Sequence, residues 1–84
     1  MVLVTYDVDA GATYVEFSEA TVARTISVSD LVMVDLSADH HVVGVDFAVA
    51  PRKITRPMID ALVKRFPELD YLSDTDTWLL APTP

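Results

Sequence analysis

The hydrophobic pattern of the chain changes period near residue 50. Upstream of that point, apolar and polar residues alternate with a period of two, the signature of strands with one buried face. "VLVTYD" (2–7) sets Val2, Val4 and Tyr6 against Leu3 and Thr5. "ATYVEF" (12–17) sets Thr13, Val15 and Phe17 against Tyr14 and Glu16. "VARTISV" (22–28) puts Val22, Ile26 and Val28 on one face, with Arg24 intruding among them. "LVMVDL" (31–36) is apolar on both faces as far as Asp35. "VVGVDFAV" (42–49) sets Val43, Val45, Phe47 and Val49 against Val42, Gly44, Asp46 and Ala48. The links "DVDAG", "SEAT", "SD" and "SADHH" are short and rich in turn-forming residues. Short links place successive strands side by side and antiparallel. The pattern predicts a five-stranded antiparallel meander over residues 2–49.

Downstream the period becomes helical. Met58, Ile59, Leu62, Val63 and Phe66 form one apolar stripe at i, i+3, i+4 and i+7 spacing. Thr55 suits the N-cap, and Pro57 sits in the first turn, where its missing N–H costs little. Pro67 disfavours helical geometry at Phe66, which predicts a helix over 57–66. "PELDYL" is able to start a second short helix. The tail "SDTDTWLLAPTP" ends apolar at Trp78, Leu79 and Leu80. The expected fold is α+β: a β-meander (1–50), a linker and helix (51–72) packed on one face, and an apolar-ended tail (73–84), all in one domain.

Two residues of the fifth stretch interrupt it. Gly44 weakens a strand, and Asp46 is an acid among valines. If the bulky face of this strand meets the helix, Gly44 leaves room on the other face for a side chain such as Tyr14 or for another backbone. Asp46 is then expected to be wet, or to be met by a donor such as Arg24.

Composition narrows the function classes. The 84 residues include no Cys, which excludes disulfides and thiolate metal sites. A chain this short has a thin stability margin, and 51% of its residues are hydrophobic. Some of that surface is expected to meet another chain. The net charge is −7, and residues 1–50 hold eight acids against Arg24 alone. Nucleic acid is not an expected partner, because phosphate binding needs Lys and Arg; Arg52, Lys53 and Arg56 read as solvated residues at the helix approach. No signal peptide and no membrane-length apolar run is visible, so the expected location is the cytoplasm, with no membrane partner.

Tyr6-Asp7, then Tyr14-Val15, Thr25, Asp35 and finally Val43-Gly44-Val45-Asp46 occur in an order and spacing that resembles a small bacterial family, the domain of unknown function 2283. The resemblance covers about residues 3–49. It implies the same sheet and no established activity. The chain departs from the family pattern before the Ala-x-Tyr stretch, where an acid is usual and this chain has Gly11-Ala12-Thr13-Tyr14, and in the fourth turn, where a Gly is usual and this chain has Asp39-His40-His41.

The candidate chemistry is sparse. Asp7, Asp35 and Asp46 are weak ligand candidates, as are His40 and His41. Adjacent histidines in a strand point to opposite sides, and a zinc site needs three or four convergent ligands. The carboxylates would have to converge to act as an acid–base pair or a cation site. No catalytic residue, metal or cofactor is expected. The leading expectation is a non-catalytic protein-interaction module that forms a homodimer and acts as an accessory or antitoxin-like inhibitory partner of another protein. Its interface would include Trp78, Leu79 and Leu80. The alternative is a small-ligand or metal-binding protein that uses the carboxylates of turns and strands.

Overall fold

The computed structural model describes residues 2–73. The alternating stretches become strands β1 (Leu3–Asp7), β2 (Ala12–Glu16), β3 (Arg24–Ser29), β4 (Val32–Leu36) and β5 (Val42–Phe47). All pairings are antiparallel, and the order across the sheet is β1-β2-β5-β4-β3. The expected meander is therefore corrected: β2 pairs with β5, and β3 lies at the far edge.

The physical reason lies in the β2–β3 link. It runs over residues 17–23, because β3 starts at Arg24, two residues later than the alternation suggests. An extended chain covers ~3.3–3.6 Å per residue. Three interstrand spacings need only about 14 Å. The link can therefore cross the ends of β5 and β4. It is tied down at both ends, with Phe17 N–H donating to Val43 O at 2.8 Å and Ala23 N–H to Leu36 O at 2.8 Å. This topology puts β5, the most buried strand, at the centre of the sheet.

One face of the sheet carries the core. Val15, Val32, Val34, Leu36, Val42, Val45 and Phe47 pack with Ile54, Ile59, Leu62 and Leu69. Thr13 is also fully buried, and its hydroxyl donates to Val49 O at 2.8 Å. Val42 was expected on the face of Gly44. It lies in the core instead, because the β4–β5 register shifts: Asp35 pairs with Gly44 and Leu36 with Val42. The extra residue on β5 is a β-bulge, which turns Val42 toward Leu36.

A 3₁₀ turn (Pro51–Lys53) leads into helix α1 (Arg56–Arg65). Thr55 caps α1, its hydroxyl accepting from Met58 N–H at 3.4 Å. Ile59 and Leu62 are fully buried, and Met58, Val63 and Phe66 pack around the core's rim. Lys64 and Arg65 in the last turn complement the helix dipole. The helix stops at Phe66, before Pro67, and a 3₁₀ segment (Pro67–Ser73) follows. Among the described residues, no helix is long and apolar enough to cross a membrane.

Candidate functional site on the outer face of the sheet

Alternation leaves the other face of the sheet to the polar residues. Two rows of paired residues cross it from β3 to β1: Thr25, Asp35, Gly44, Glu16 and Leu3, then Ser27, Met33, Asp46, Tyr14 and Thr5. Asp7 opposite Ala12 begins a third row. The strand positions on this face include four carboxylates and no Lys or Arg.

Tyr14 organises the centre of the face. Its side chain leaves β2, lies over β5 and reaches β4, where the phenol donates to Asp35 Oδ2 at 2.7 Å. Thr25, on β3, donates to Asp35 Oδ1 at 2.5 Å. Both oxygens of Asp35 are thus engaged by hydroxyls from either side. Gly44 makes the reach possible. A Cβ at that position would stand 2.1 Å from the Tyr14 hydroxyl oxygen and 2.3 Å from Cζ. The expectation that Gly44 makes room for Tyr14 holds. Burial first, then the hydrogen bond to Asp35, raise the pKa of the Tyr14 phenol, so Tyr14 stays protonated and donates.

Asp46 lies between Tyr14 and Met33 in its row. Among the described residues, no hydrogen bond reaches its carboxylate. Burial, and then the nearby charge of Asp35, push its pKa up from the ordinary carboxylate value of 3.8. The expected partner, Arg24, points elsewhere: its Nη2 lies 3.4 Å from His40 Nδ1. Arg24 is paired with the core residue Leu36, on the face opposite Asp46 and two strands away, which accounts for that miss.

The structure separates the other candidates. Asp7 holds the β1–β2 turn, its Oδ1 accepting from Asp9 N–H at 3.0 Å and Ala10 N–H at 3.2 Å. Asp7 and Asp46 line a depression of about 220 Å³ together with Thr5, Ala10, Ala12 and Tyr14. Asp35 is not part of it. His40 occupies the left-handed region of backbone space, φ 67°, in the turn where the family resemblance has a Gly. His41 lies near Glu68, Nδ1 to Oε2 3.8 Å, with both side chains well exposed. The two histidines therefore do not converge with the three aspartates. Among the described residues, no three His, Asp or Glu side chains come together as a metal site. Trp78, Leu79 and Leu80 lie outside the described residues.

Two features escaped the sequence reading. One is the pair of hydroxyls, from Tyr14 and Thr25, that hold Asp35. The other is a depression of about 410 Å³ lined by Leu3, Glu16, Phe17, Ser18 and Glu19, at the start of β1 and the exit of β2. Two acids flanking one aromatic in "VEFSE" were its visible trace.

The two sheet edges differ. On β3, the register shifts between Ser27 and Ser29, the Ser27 hydroxyl donates to Ser29 O at 3.0 Å, and Arg65 of α1 donates to Ser27 O at 3.3 Å. A bulge and a capping cation are standard protections of an edge. On β1, the pairing with β2 is regular from Leu3 to Asp7, and no Lys or Pro interrupts the strand. Leu3, Tyr6 and Val8 are exposed there, at 56%, 36% and 74%.

The family model described as "Protein of unknown function (DUF2283)" matches residues 3–49, the span of the whole sheet. No curated protein and no solved structure matched the chain. That match covers more than half of the sequence and every strand described above, and the chain belongs to the DUF2283 family.

Proposed function

We propose that the protein is a non-catalytic interaction module that works through the open edge of β1, self-associates there as a homodimer, and serves as an accessory or inhibitory partner of another protein in the cytoplasm. The observation that carries this reading is the difference between the edges. The β3 edge is bulged and capped by Arg65, whereas β1 is regular, is capped by no side chain among the described residues, and is flanked by exposed Leu3, Tyr6 and Val8. An unprotected edge is a template for strand addition, and two copies related by a two-fold axis normal to the sheet pair antiparallel. The occupied oxygens of Asp35 fit a structural role for the central carboxylate.

Light scattering tests the reading. The expected result is a dimer that dissociates on dilution and is lost in Leu3→Glu, which adds an acid to the edge beside Glu16 without touching the core. A monomer at high micromolar concentration would remove the homodimer.

One observation favours a second reading, a small-ligand or cation-binding protein: Asp7 and Asp46 share a depression beside Tyr14. A melting-temperature rise with Mg²⁺ or Ca²⁺ that disappears in Asp46→Asn would support it.

A further inference from the structure

We propose that the depression at the start of β1 receives the cationic side chain of a lysine or arginine carried by an extended strand of a different protein, added to the β1 edge. The inference rests on the reading of β1 as an open edge and names the partner that edge prefers.

The depression is built from two kinds of wall. Leu3 and Phe17 are apolar, and Glu16 and Glu19 are acidic, with Ser18 between them. A cavity of about 410 Å³ with this lining suits a side chain that has an apolar stem and a charged head. Its place in the sheet matters equally. Leu3 is the first residue of β1, and Glu16 is its partner on β2. A strand added outside β1 would lie two interstrand spacings, about 10 Å, from Glu16. An extended Lys or Arg laid across Leu3 bridges that distance together with the Glu16 side chain. Tyr14 makes the same two-strand reach on this face, from β2 across Gly44 to Asp35. Main-chain pairing would supply affinity, and the side chain in the depression would supply selectivity.

A second copy of the chain is the poorer occupant. Antiparallel self-pairing brings the Asp7 and Asp9 end of one β1 to the Leu3 end of the other. It therefore sets carboxylates against Glu16 and Glu19, and like charges across strands are unfavourable. A basic strand reverses the sign of that contact. Self-association is thus held weak enough for a basic strand to displace it, which is selectivity by repulsion of the wrong occupant.

The test uses the full chain and three synthetic eight-residue peptides of alternating Thr and Val. They differ at one terminal position, which carries Lys, norleucine or Glu. Binding is followed by fluorescence anisotropy of a peptide label, and dimer content by light scattering in the same samples. The expected order of affinity is Lys over norleucine over Glu, with at least a tenfold gap between Lys and norleucine at low salt. The gap should close in Glu16→Gln with Glu19→Gln, while binding of the norleucine peptide persists. The Lys peptide should also lower the dimer fraction. Equal binding of the Lys and norleucine peptides, with the dimer present, would overturn this proposal and leave the edge reading standing. Absence of both peptide binding and dimer would overturn the edge reading and this proposal with it.

Discussion

Replacing Gly44 by Ala tests the central arrangement of the outer face. The added Cβ would stand 2.1 Å from the Tyr14 hydroxyl oxygen, 2.3 Å from Cζ and 2.8 Å from Cε2. No Cβ tolerates such contacts, so Tyr14 must swing off β5. It then gives up its 2.7 Å hydrogen bond to Asp35. A hydrogen bond to a charged group contributes about 1.5–3 kcal/mol. Ala in place of a strand Gly recovers roughly 0.5–1 kcal/mol of backbone entropy. The net cost should be about 0.5–2.5 kcal/mol by this difference. For a domain of this size that is a fall in melting temperature of about 4–8 °C per kcal/mol. Urea denaturation of the wild type, Gly44→Ala, Tyr14→Ala and the double variant forms a complete cycle. In the Tyr14→Ala background the clash is gone, and Gly44→Ala should be neutral or stabilising. An equal cost in both backgrounds would refute the reasoning, because Tyr14 would then not be what Gly44 accommodates.

Other outcomes follow from the same structure. Leu62→Ala should cost about 2–5 kcal/mol, since Leu62 is fully buried between α1 and the sheet, and a urea midpoint near that of wild type would contradict the packing. Asp46→Asn should raise the melting temperature at pH 7. The folded-state pKa of Asp46 is raised, so the folded protein binds that proton more tightly, and stability increases as pH falls through the raised value toward 3.8. The advantage of Asn should therefore shrink with acidification, and a pH-independent advantage would assign it to another cause. His40→Gly should stabilise by up to about 1 kcal/mol, because a side chain in the left-handed region is strained and Gly is not. Generic duplex DNA should not bind at physiological salt, given the net charge of −7, and a salt-sensitive micromolar affinity would show that Arg52, Lys53 and Arg56 outweigh it.

Strands and helix were legible because each rests on local periodicity. Alternation marked all five strands, and the stripe Ile59, Leu62 with Thr55 and Pro67 at its ends marked α1 nearly to the residue. Strand order was not legible, and the reason is a length. Taking β3 to begin at Val22 leaves four residues, "SEAT", which cross three interstrand spacings only when fully extended and so favour a direct hairpin. With Arg24 as the first strand residue the link covers 17–23, and crossing becomes possible without full extension. Periodicity locates the centre of a strand well and its ends poorly, because an edge strand buries little. Val22 illustrates the point: apolar and in phase with Ile26, it is nevertheless 42% exposed beyond the end of the pairing. The bulge at Val42 was hidden for a related reason. In a run of three apolar residues out of four, one extra residue changes no hydrophobic count.

The outer face divides the same way between what spacing fixes and what topology fixes. Gly44 announced a close approach, and Tyr14 was a reasonable occupant, because it is the one aromatic among the outward residues of β2. Where Tyr14 ends depended on β4 lying beside β5, so Asp35 as its acceptor required the strand order. Asp46 carried the opposite error. A base in the third stretch looked like its natural partner, but Arg24 is paired with the core residue Leu36, on the other face and beyond β4, and lies beside His40. The consequence reaches function. With Arg24 at the far edge, no strand cation neutralises Glu16 or Asp46 from within the outer face. The β1 side of that face keeps its negative charge next to an edge that no described residue protects. An edge alone accepts any strand, and a charge alone attracts any cation. Their adjacency at Leu3 and Glu16 selects a strand with a basic residue at one end.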